Sequence, residues 1–256
     1  MAKIISYNVN GIRSAMSKGL VEWLIHESPD IVCLQEIKAE PGQINLKLFD
    51  DAGYAHHSWH PARKRGYSGV AILSKRKPDN VVIGCGNPAY DDEGRFLRAD
   101  FGDVSVISLY LPSGTSGDER QNFKYEFMAY LHTYVAELRK SRPNLIISGD
   151  WNIAHTELDI RNAKSNEKNS GFLPEERAWL GMFLESGFID SFRHVTKEPD
   201  HYSWWTYRAN ARARNIGWRI DYHMITAGLE HRLQHASILP DVVHSDHCPI
   251  VVEVDI

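Results

Sequence analysis

Residues 104–111 read VSVISLYL and residues 145–152 read LIISGDWN, and these two runs decide the fold. Both are rich in β-branched residues and predict strands. Between them, apolar residues recur at intervals of three to four over residues 123–138, which predicts one buried face of a helix. Asp118 is the predicted N-cap of that helix and Pro143 its stop. A strand, a helix and a second strand in this order predict an α/β fold.

Similar runs continue along the whole chain. Further strands are predicted at residues 3–7, 30–34, 69–73, 97–101, 219–225 and 249–254, with helices at residues 20–26 and 174–185. No Gly/Ser-rich or Pro-rich linker interrupts this alternation. We therefore expect a single domain over residues 1–256, built as a sandwich of two sheets with helices outside. No long heptad pattern predicts a coiled coil, and we expect a monomer.

The composition excludes several classes of protein. Apolar residues make up 43% of the chain, which excludes a disordered or low-complexity protein. The net charge of −4 excludes a polycation that binds nucleic acid over its whole surface. No apolar run is long enough to cross a bilayer, so we expect no membrane insertion.

The cysteines and the start of the chain bear on the compartment. Cys33, Cys85 and Cys248 are widely and irregularly spaced, which predicts no disulfide framework and favours a reducing compartment. The first residues lead directly into a strand and show no secretion signal. We therefore expect a cytoplasmic protein, associated with the nucleoid if it is bacterial.

Polar residues follow the ends of the predicted strands, where open α/β sheets leave a crevice for a ligand. They are Asn8, Asn10, Glu36, Tyr110, Asp150, Asn152, Asp221, Asp246 and His247. Taken singly, each has an ordinary structural explanation, such as a helix cap, a turn or a core histidine. Together, four carboxylates in one cleft would repel one another unless a divalent cation or a protonated histidine offset their charge. Oxygen ligands without zinc-type spacing favour Mg²⁺ or Mn²⁺.

Six segments resemble, in the same order, the exonuclease III family of apurinic/apyrimidinic endonucleases. They are YNVNGIR at residues 7–13, LQEIK at 34–38, GDWNI at 149–153, SWWTYR at 203–208, NIGWRIDY at 215–222 and SDH at 245–247. The resemblance runs from residue 3 to residue 254. It implies the DNase I-like fold of the endonuclease/exonuclease/phosphatase superfamily, a four-layered α/β sandwich of two packed mixed β-sheets flanked by helices.

The resemblance also implies which residues bind the metal ion and activate water. Glu36 would bind the metal ion, together with Asn8 and Asp246. Asp150 would align or deprotonate the attacking water. Tyr110 and a hydroxide held by the metal remain alternatives for the base.

Other residues would hold the phosphate, again by resemblance. Asn152 would orient the phosphate or the water, and His247, paired with Asp221, would contact a non-bridging phosphate oxygen. Tyr110 would lie near the phosphate and assist the leaving group. Such fixed donors suit in-line attack on a phosphodiester, because the transition state gains negative charge on its oxygens.

Two segments carry basic residues and no acidic ones. Residues 205–219 contain four arginines, and residues 56–77 contain six lysines and arginines. Charge runs of this kind are commonly solvated loops. The tryptophans beside the first segment favour contact with DNA phosphates instead, with a marked salt dependence.

The aromatic segments predict how a lesion is selected. By resemblance, Trp204, Trp205 and Trp218 would wall a pocket for an extruded abasic sugar, although core packing is the alternative for a cluster of large aromatic side chains. Arg208 would enter a groove beside the lesion. Asn162, Asn166 and Asn169 would hold phosphates or the site itself.

The sequence thus predicts a Mg²⁺-dependent endonuclease that cuts duplex DNA on the 5′ side of abasic sites. A 3′-exonuclease or 3′-phosphatase activity would accompany it. One alternative is another phosphodiesterase or phosphatase of the superfamily, acting on inositol phosphates or lipid headgroups. A second alternative is a DNA-binding scaffold without catalysis, against which every presumed catalytic position is filled.

Overall fold

The computed structural model describes residues 1–256, which form twelve strands and eight α-helices. The strands are β1 Ala2–Asn8, β2 Ile31–Gln35, β3 His56–His60, β4 Val70–Ser74, β5 Asn80–Ile83, β6 Phe96–Phe101, β7 Val104–Tyr110, β8 Asn144–Asp150, β9 Phe188–Asp190, β10 Asp221–Thr226, β11 Leu233–Ile238 and β12 Ile250–Val254. The helices are α1 Ile12–Ser17, α2 Leu20–Glu27, α3 Lys47–Asp51, α4 Pro88–Asp91, α5 Asp118–Ser141, α6 Ala163–Asn166, α7 Pro174–Glu185 and α8 Ser191–Val195. No helix is long and apolar enough to cross a membrane.

The strands form two six-stranded sheets of matching topology. The first has the order β11-β12-β1-β2-β4-β3 and the second β5-β6-β7-β8-β10-β9. Each sheet contains one parallel pair, β1 with β2 and β7 with β8, and its other neighbours are antiparallel. The predicted mixed sheets are confirmed.

Apolar side chains divide the molecule into four layers. Side chains such as Ile4 and Ile72 of the first sheet and Val106 and Ile146 of the second form one buried cluster between the sheets. Helices α1, α2 and α3 cover the outer face of the first sheet. Helices α5 and α7 cover the outer face of the second. Alternation along each strand supplies both faces with apolar groups, and the predicted sandwich is confirmed.

The predicted strands all form, but four further strands were not predicted. These are β3, β5, β9 and β11, and each lies at an edge of its sheet. The helix predictions hold with small shifts at the ends. Helix α5 begins at Asp118, but its N-cap is Gly117 rather than Asp118, because the cap has a φ of 107° that favours glycine.

A buried polar layer joins the two sheets. Gln35 Nε2 on β2 donates to Ser108 Oγ on β7 at 3.1 Å. His223 on β10 contacts Ser148 Oγ through Nδ1 at 2.7 Å and the Ile250 carbonyl through Nε2 at 3.1 Å. Because a carbonyl can only accept, Nε2 carries the proton and Nδ1 accepts from the hydroxyl. The ring is therefore neutral, and burial lowers the pKa of His223 to about 4.

The free energy of unfolding is expected to fall by about 2 kcal/mol through His223 alone when the pH decreases from 7 to 5. The unfolded ring has an ordinary pKa of about 6.5, so the unfolded chain binds a proton that the folded chain excludes. Urea unfolding of the wild type and of His223→Gln at both pH values measures this contribution. The glutamine keeps a donor for the carbonyl and does not titrate, so its pH dependence should be weaker. Equal dependence in the two proteins would contradict a neutral buried ring.

Candidate active site

The two parallel strand pairs end at one place and deliver the site from both sheets. Asn8 ends β1 and Glu36 follows β2, while Tyr110 ends β7 and Asp150 ends β8. Asp221 begins β10 and lies opposite Asp150 in the antiparallel ladder. Because the carboxyl ends of parallel strands share one edge of a sheet, packing the sheets face to face brings both sets of side chains together.

Asn8 links the carboxylates of the two sheets. Its side chain is fully buried, and Nδ2 donates to Glu36 Oε1 and to Asp150 Oδ2, each at 2.8 Å. Its Oδ1 accepts from the Asn10 backbone N–H at 3.0 Å. Asn8 was predicted as a metal ligand, but this arrangement directs its amide nitrogen, which cannot bind a cation, at the carboxylates. Here Asn8 fixes the distance between Glu36 and Asp150.

Asn152 is held close to Asp150 by an unusual backbone conformation. Its φ is 51°, in the left-handed region that is sparsely occupied by residues other than glycine. The Asn152 N–H donates to Asp150 Oδ1 at 2.9 Å, and its Nδ2 donates to the Leu111 carbonyl at 2.9 Å. Glu36 also has a left-handed φ, of 50°. Both residues that immediately follow the central strands are therefore held in strained conformations, as is common at functional sites.

His247 forms a buried charge relay with Asp221. His247 Nδ1 lies 2.9 Å from Asp221 Oδ2, which also accepts from Ser203 Oγ at 2.7 Å. Nε2 lies 3.8 Å from Asp150 Oδ2. Burial opposes the charge on the ring, but Asp221, followed by Asp150, outweighs it and raises the pKa of His247 to about 10. The imidazolium therefore persists at neutral pH and can donate from Nε2 to an anionic oxygen.

The carboxylates differ in how well their charge is compensated. Burial, followed by repulsion from Asp221, raises the pKa of Asp150 to about 7. Burial also opposes the charge of Glu36, but Lys38, at 2.7 Å from Oε2, lowers the pKa of Glu36 below its usual value. Burial and the neighbouring Glu36 raise the pKa of Tyr110 well above its ordinary value, so the phenol keeps its proton.

The donor set fits a hard divalent cation. Ligand atoms of Glu36, Asp150 and His247 lie within 4.8 Å of one another. Because His247 is protonated, the carboxylate oxygens of Glu36 and Asp150 are the available donors, and carboxylates suit Mg²⁺ or Mn²⁺. The predicted ligand Asp246 lies outside this group. Its carboxylate accepts from Asn10 Nδ2 at 2.9 Å and from Trp204 Nε1 at 3.1 Å.

A cavity of about 800 Å³ opens over these residues. Its lining includes the catalytic candidates Glu36, Tyr110, Asp150, Asn152, Asp246 and His247. Trp204, Trp218 and Ile220 add an aromatic and apolar wall, in which the two indole rings meet edge to face with centroids 6.1 Å apart. The cavity therefore combines polar groups that suit a phosphate with a small apolar wall.

Trp205 is a correction to the predicted pocket. Its side chain is only 3% exposed and packs against Tyr202, Ala211 and Cys248, outside the lining of the cavity. Its Nε1 donates to Asn215 Oδ1 at 3.2 Å. The neighbouring residues of an extended segment point to opposite sides, so Trp204 faces the cavity and Trp205 the interior.

The basic segment at residues 205–219 also needs correction. Arg219 is fully buried, and Arg212 donates to the carbonyls of Ser245, Pro240 and Val242. Only Arg208 and Arg214 of the four arginines are exposed. The positive charge available to a DNA phosphate in this segment is therefore half of that expected from the sequence.

The remaining predicted residues lie at different distances from the cavity. Asn169 is part of its lining. Asn162 and Asn166 lie outside that lining, where Asn166 Nδ2 donates to the Asn162 carbonyl at 3.0 Å and Asn166 Oδ1 accepts from Asn169 Nδ2 at 2.8 Å. They thus support the segment that carries Asn169. Arg208 is exposed and does not line the cavity.

Three residues of the site were missed from the sequence. Ile220 completes the apolar wall, Lys38 compensates Glu36, and Ser203 orients Asp221. Each lies within or beside a quoted segment. The alternation of Trp218, Arg219 and Ile220 in an extended run could have indicated Ile220, because Trp218 and Ile220 share one face.

Comparison with known proteins agrees with this geometry. A model of the endonuclease/exonuclease/phosphatase family matches residues 5–247. An exodeoxyribonuclease of Bacillus subtilis is 44% identical over 99% of this chain and 100% of its own. The DNA repair nuclease APEX1 of Danio rerio is 39% identical over 98% of this chain and 81% of its own. The structure of an AP endonuclease from Archaeoglobus fulgidus superposes with a TM-score of 0.91 at 30% identity, covering 100% of both chains.

Proposed function

The chain belongs to the endonuclease/exonuclease/phosphatase family and is a DNA repair nuclease, and we propose that it hydrolyses the phosphodiester 5′ to abasic sites in duplex DNA. The products would be a 3′-hydroxyl and a 5′-deoxyribose phosphate. The observation that carries this proposal is the wall of Trp204, Trp218 and Ile220 beside Asp150 and His247 in one cavity. A 3′-exonuclease or 3′-phosphatase activity accompanies it.

The cavity suits a sugar without a base. An abasic nucleotide leaves its helix at small cost because it has no base to unstack or unpair. Trp204 and Trp218 offer apolar surface to the deoxyribose, while Trp204 is fixed by its hydrogen bond to Asp246. A nucleotide that retains its base would have to fit a purine or pyrimidine against the same wall. Selection for the lesion then rests on size and shape.

Fixed groups of the chain perform the reaction. Asp150 accepts a proton from the attacking water, and Asn152 orients the water or the phosphate. His247 donates from Nε2 to a non-bridging phosphate oxygen, and Tyr110 donates to the departing 3′-oxygen as the bond from phosphorus to that oxygen breaks. These donors are in place before the reaction, so they stabilise developing charge without reorganisation.

Nucleases of this family depend on a metal ion, and we propose Mg²⁺ held by Glu36 with Asp150. When bound, the ion supplies positive charge at the phosphate oxygens, which lowers the barrier to attack. Asn8 keeps the two carboxylates at a fixed separation across the two sheets. Mn²⁺ has a similar preference for oxygen ligands and should substitute for it.

Purified protein tests the proposal on a duplex carrying one tetrahydrofuran residue, a stable abasic analogue. We expect a single cut on its 5′ side with Mg²⁺ and none with EDTA. The undamaged duplex of the same sequence serves as the matched substrate and should be cut far more slowly. Equal cutting of both duplexes would exclude lesion recognition, and cutting in EDTA would exclude a metal-dependent reaction.

Trp218→Ala is expected to lower kcat/KM on the lesion duplex about tenfold, since aromatic contacts with nucleic acid contribute on the order of 1–3 kcal/mol. Rate measurements on lesion and undamaged duplexes show whether discrimination falls with it. Trp23→Ala is the control, because Trp23 is also partly buried but packs on α2 against Tyr7 and His244. A similar loss in the control would show that the effect comes from general loosening.

A further inference from the structure

A buried ion pair lies directly behind the cavity. Lys124 on α5 and Glu176 on α7 are both fully buried, with Lys124 Nζ 2.5 Å from Glu176 Oε1. Burying two charges costs about as much as their attraction returns, so such a pair adds little net stability. What distinguishes this pair is where its remaining hydrogen bonds go.

Lys124 holds the backbone of Asn152. Its Nζ donates to the Asn152 carbonyl oxygen at 2.8 Å. The same residue has a φ of 51° and donates its N–H to Asp150. A charge-assisted hydrogen bond is stronger than a neutral one, and it acts here on a strained residue. Lys124 therefore opposes relaxation of the backbone that carries the Asn152 side chain.

Glu176 holds the wall of the cavity at residues 169–173. Its Oε2 accepts from the Gly171 N–H at 2.6 Å and from the Leu173 N–H at 3.0 Å, and both residues line the cavity. Gly171 has a φ of 94°, and a Cβ at this position would lie 3.0 Å from Trp218 Cζ3 and 3.1 Å from the Asn152 carbonyl oxygen. The wall is thus packed against both Trp218 and Asn152.

We propose that Lys124 and Glu176 are positioning residues for the reaction, which hold Asn152 and the 169–173 wall in one fixed arrangement. This inference rests on the proposed function, because Asn152 acts there on the phosphate or the water. Neither Lys124 nor Glu176 is part of the cavity lining. Their effect on the rate therefore passes through Asn152 and Gly171.

The double variant Lys124→Met/Glu176→Gln separates positioning from folding. Removing one charge alone leaves the other buried and unpaired, which is strongly destabilising, whereas removing both avoids that penalty. The glutamine keeps an oxygen for the Gly171 or Leu173 N–H, but methionine offers no donor to Asn152. We expect kcat on the lesion duplex to fall about 10- to 100-fold, as for a catalytic group displaced by a fraction of an ångström to an ångström. KM should change by less than about threefold.

Asp100→Asn is the matched control. Asp100 is 5% exposed and lies 3.1 Å from Arg98 Nε, at the end of β6 opposite to the active site. The substitution removes the charge of a second buried ion pair without reaching the cavity. Its kcat should equal that of the wild type, although its unfolding midpoint in urea should fall.

Hydrogen exchange provides a readout that does not depend on activity. In the double variant, the amides of residues 150–154 should exchange faster than in the wild type, while Asp100→Asn leaves them unchanged. Wild-type protein that cuts no DNA would refute the proposed function, and the exchange result would still decide whether Lys124 holds Asn152. A folded double variant with unchanged kcat and unchanged exchange at residues 150–154 would overturn the inference, as would a rise in KM alone.

Discussion

Asp150→Asn is expected to lower kcat on the lesion duplex by about 10²- to 10⁴-fold, the usual contribution of a positioned general base. The carboxylate is 1% exposed and accepts from Asn8 Nδ2 and from the Asn152 N–H. An asparagine keeps the shape of the side chain but cannot take the proton of the attacking water. Its NH₂ group would also face a donor from Asn8 or Asn152, which displaces the site further.

Folding should not account for this loss. Replacing one of several neighbouring carboxylates by an amide removes like-charge repulsion, so the variant in EDTA should be at least as resistant to urea as the wild type. Asp103→Asn, in the turn between β6 and β7 at the far end of the second sheet, is the control and should retain wild-type kcat. Single-turnover kinetics on the tetrahydrofuran duplex measure all three proteins. A kcat within about threefold of the wild type would remove Asp150 from its proposed role.

Arg219→Met is expected to lower the free energy of unfolding by about 3–5 kcal/mol, the cost of breaking a buried ion pair. Arg219 Nε lies 2.7 Å from Asp159 Oδ1, and one terminal nitrogen lies 2.7 Å from Asp190 Oδ2. The guanidinium carbon also lies 4.4 Å from the centroid of the Tyr222 ring. The substitution removes this cation from two buried carboxylates and leaves Asp159 with Arg193 alone.

Urea unfolding at pH 7 measures the loss, with Arg214→Met as the control. Arg214 belongs to the same segment but is exposed, and replacing an exposed charge usually changes stability by less than about 0.5 kcal/mol. If both variants unfold at the same urea concentration, Arg219 contributes no more than a surface residue. That outcome would restore the sequence-based interpretation, in which all four arginines of this segment face solvent and DNA.

The chemistry of the site could be predicted from local motifs, but its burial could not. Glu36, Asp150 and His247 were identified because each follows or precedes a strand within a recognisable segment. Trp205 and Arg219 belong to equally clear motifs, yet both are buried. A motif specifies residue types and their order, whereas the face on which each side chain lies depends on the local backbone and on what packs against it.

The strands show the same division. The predicted strands have two neighbours each and bury both faces, so their sequences contain long β-branched runs. The four strands that were missed lie at the sheet edges. Strand β5, for example, is exposed or partly exposed at every position, and its hydrogen bonds are to one neighbour only. Edge strands of this kind carry little hydrophobic pattern and are defined mainly by pairing with a strand distant in sequence.

The sequence by itself determined the α/β class, the central strands and the residue types that the reaction needs, because these depend on local periodicity and side-chain chemistry. Only the tertiary structure decided which of those residues meet. The Asn8 bridge between Glu36 and Asp150, and the contact of Lys124 with Asn152, join segments far apart in the chain. Such contacts form only when the two sheets pack face to face, since packing fixes distances that no local pattern encodes.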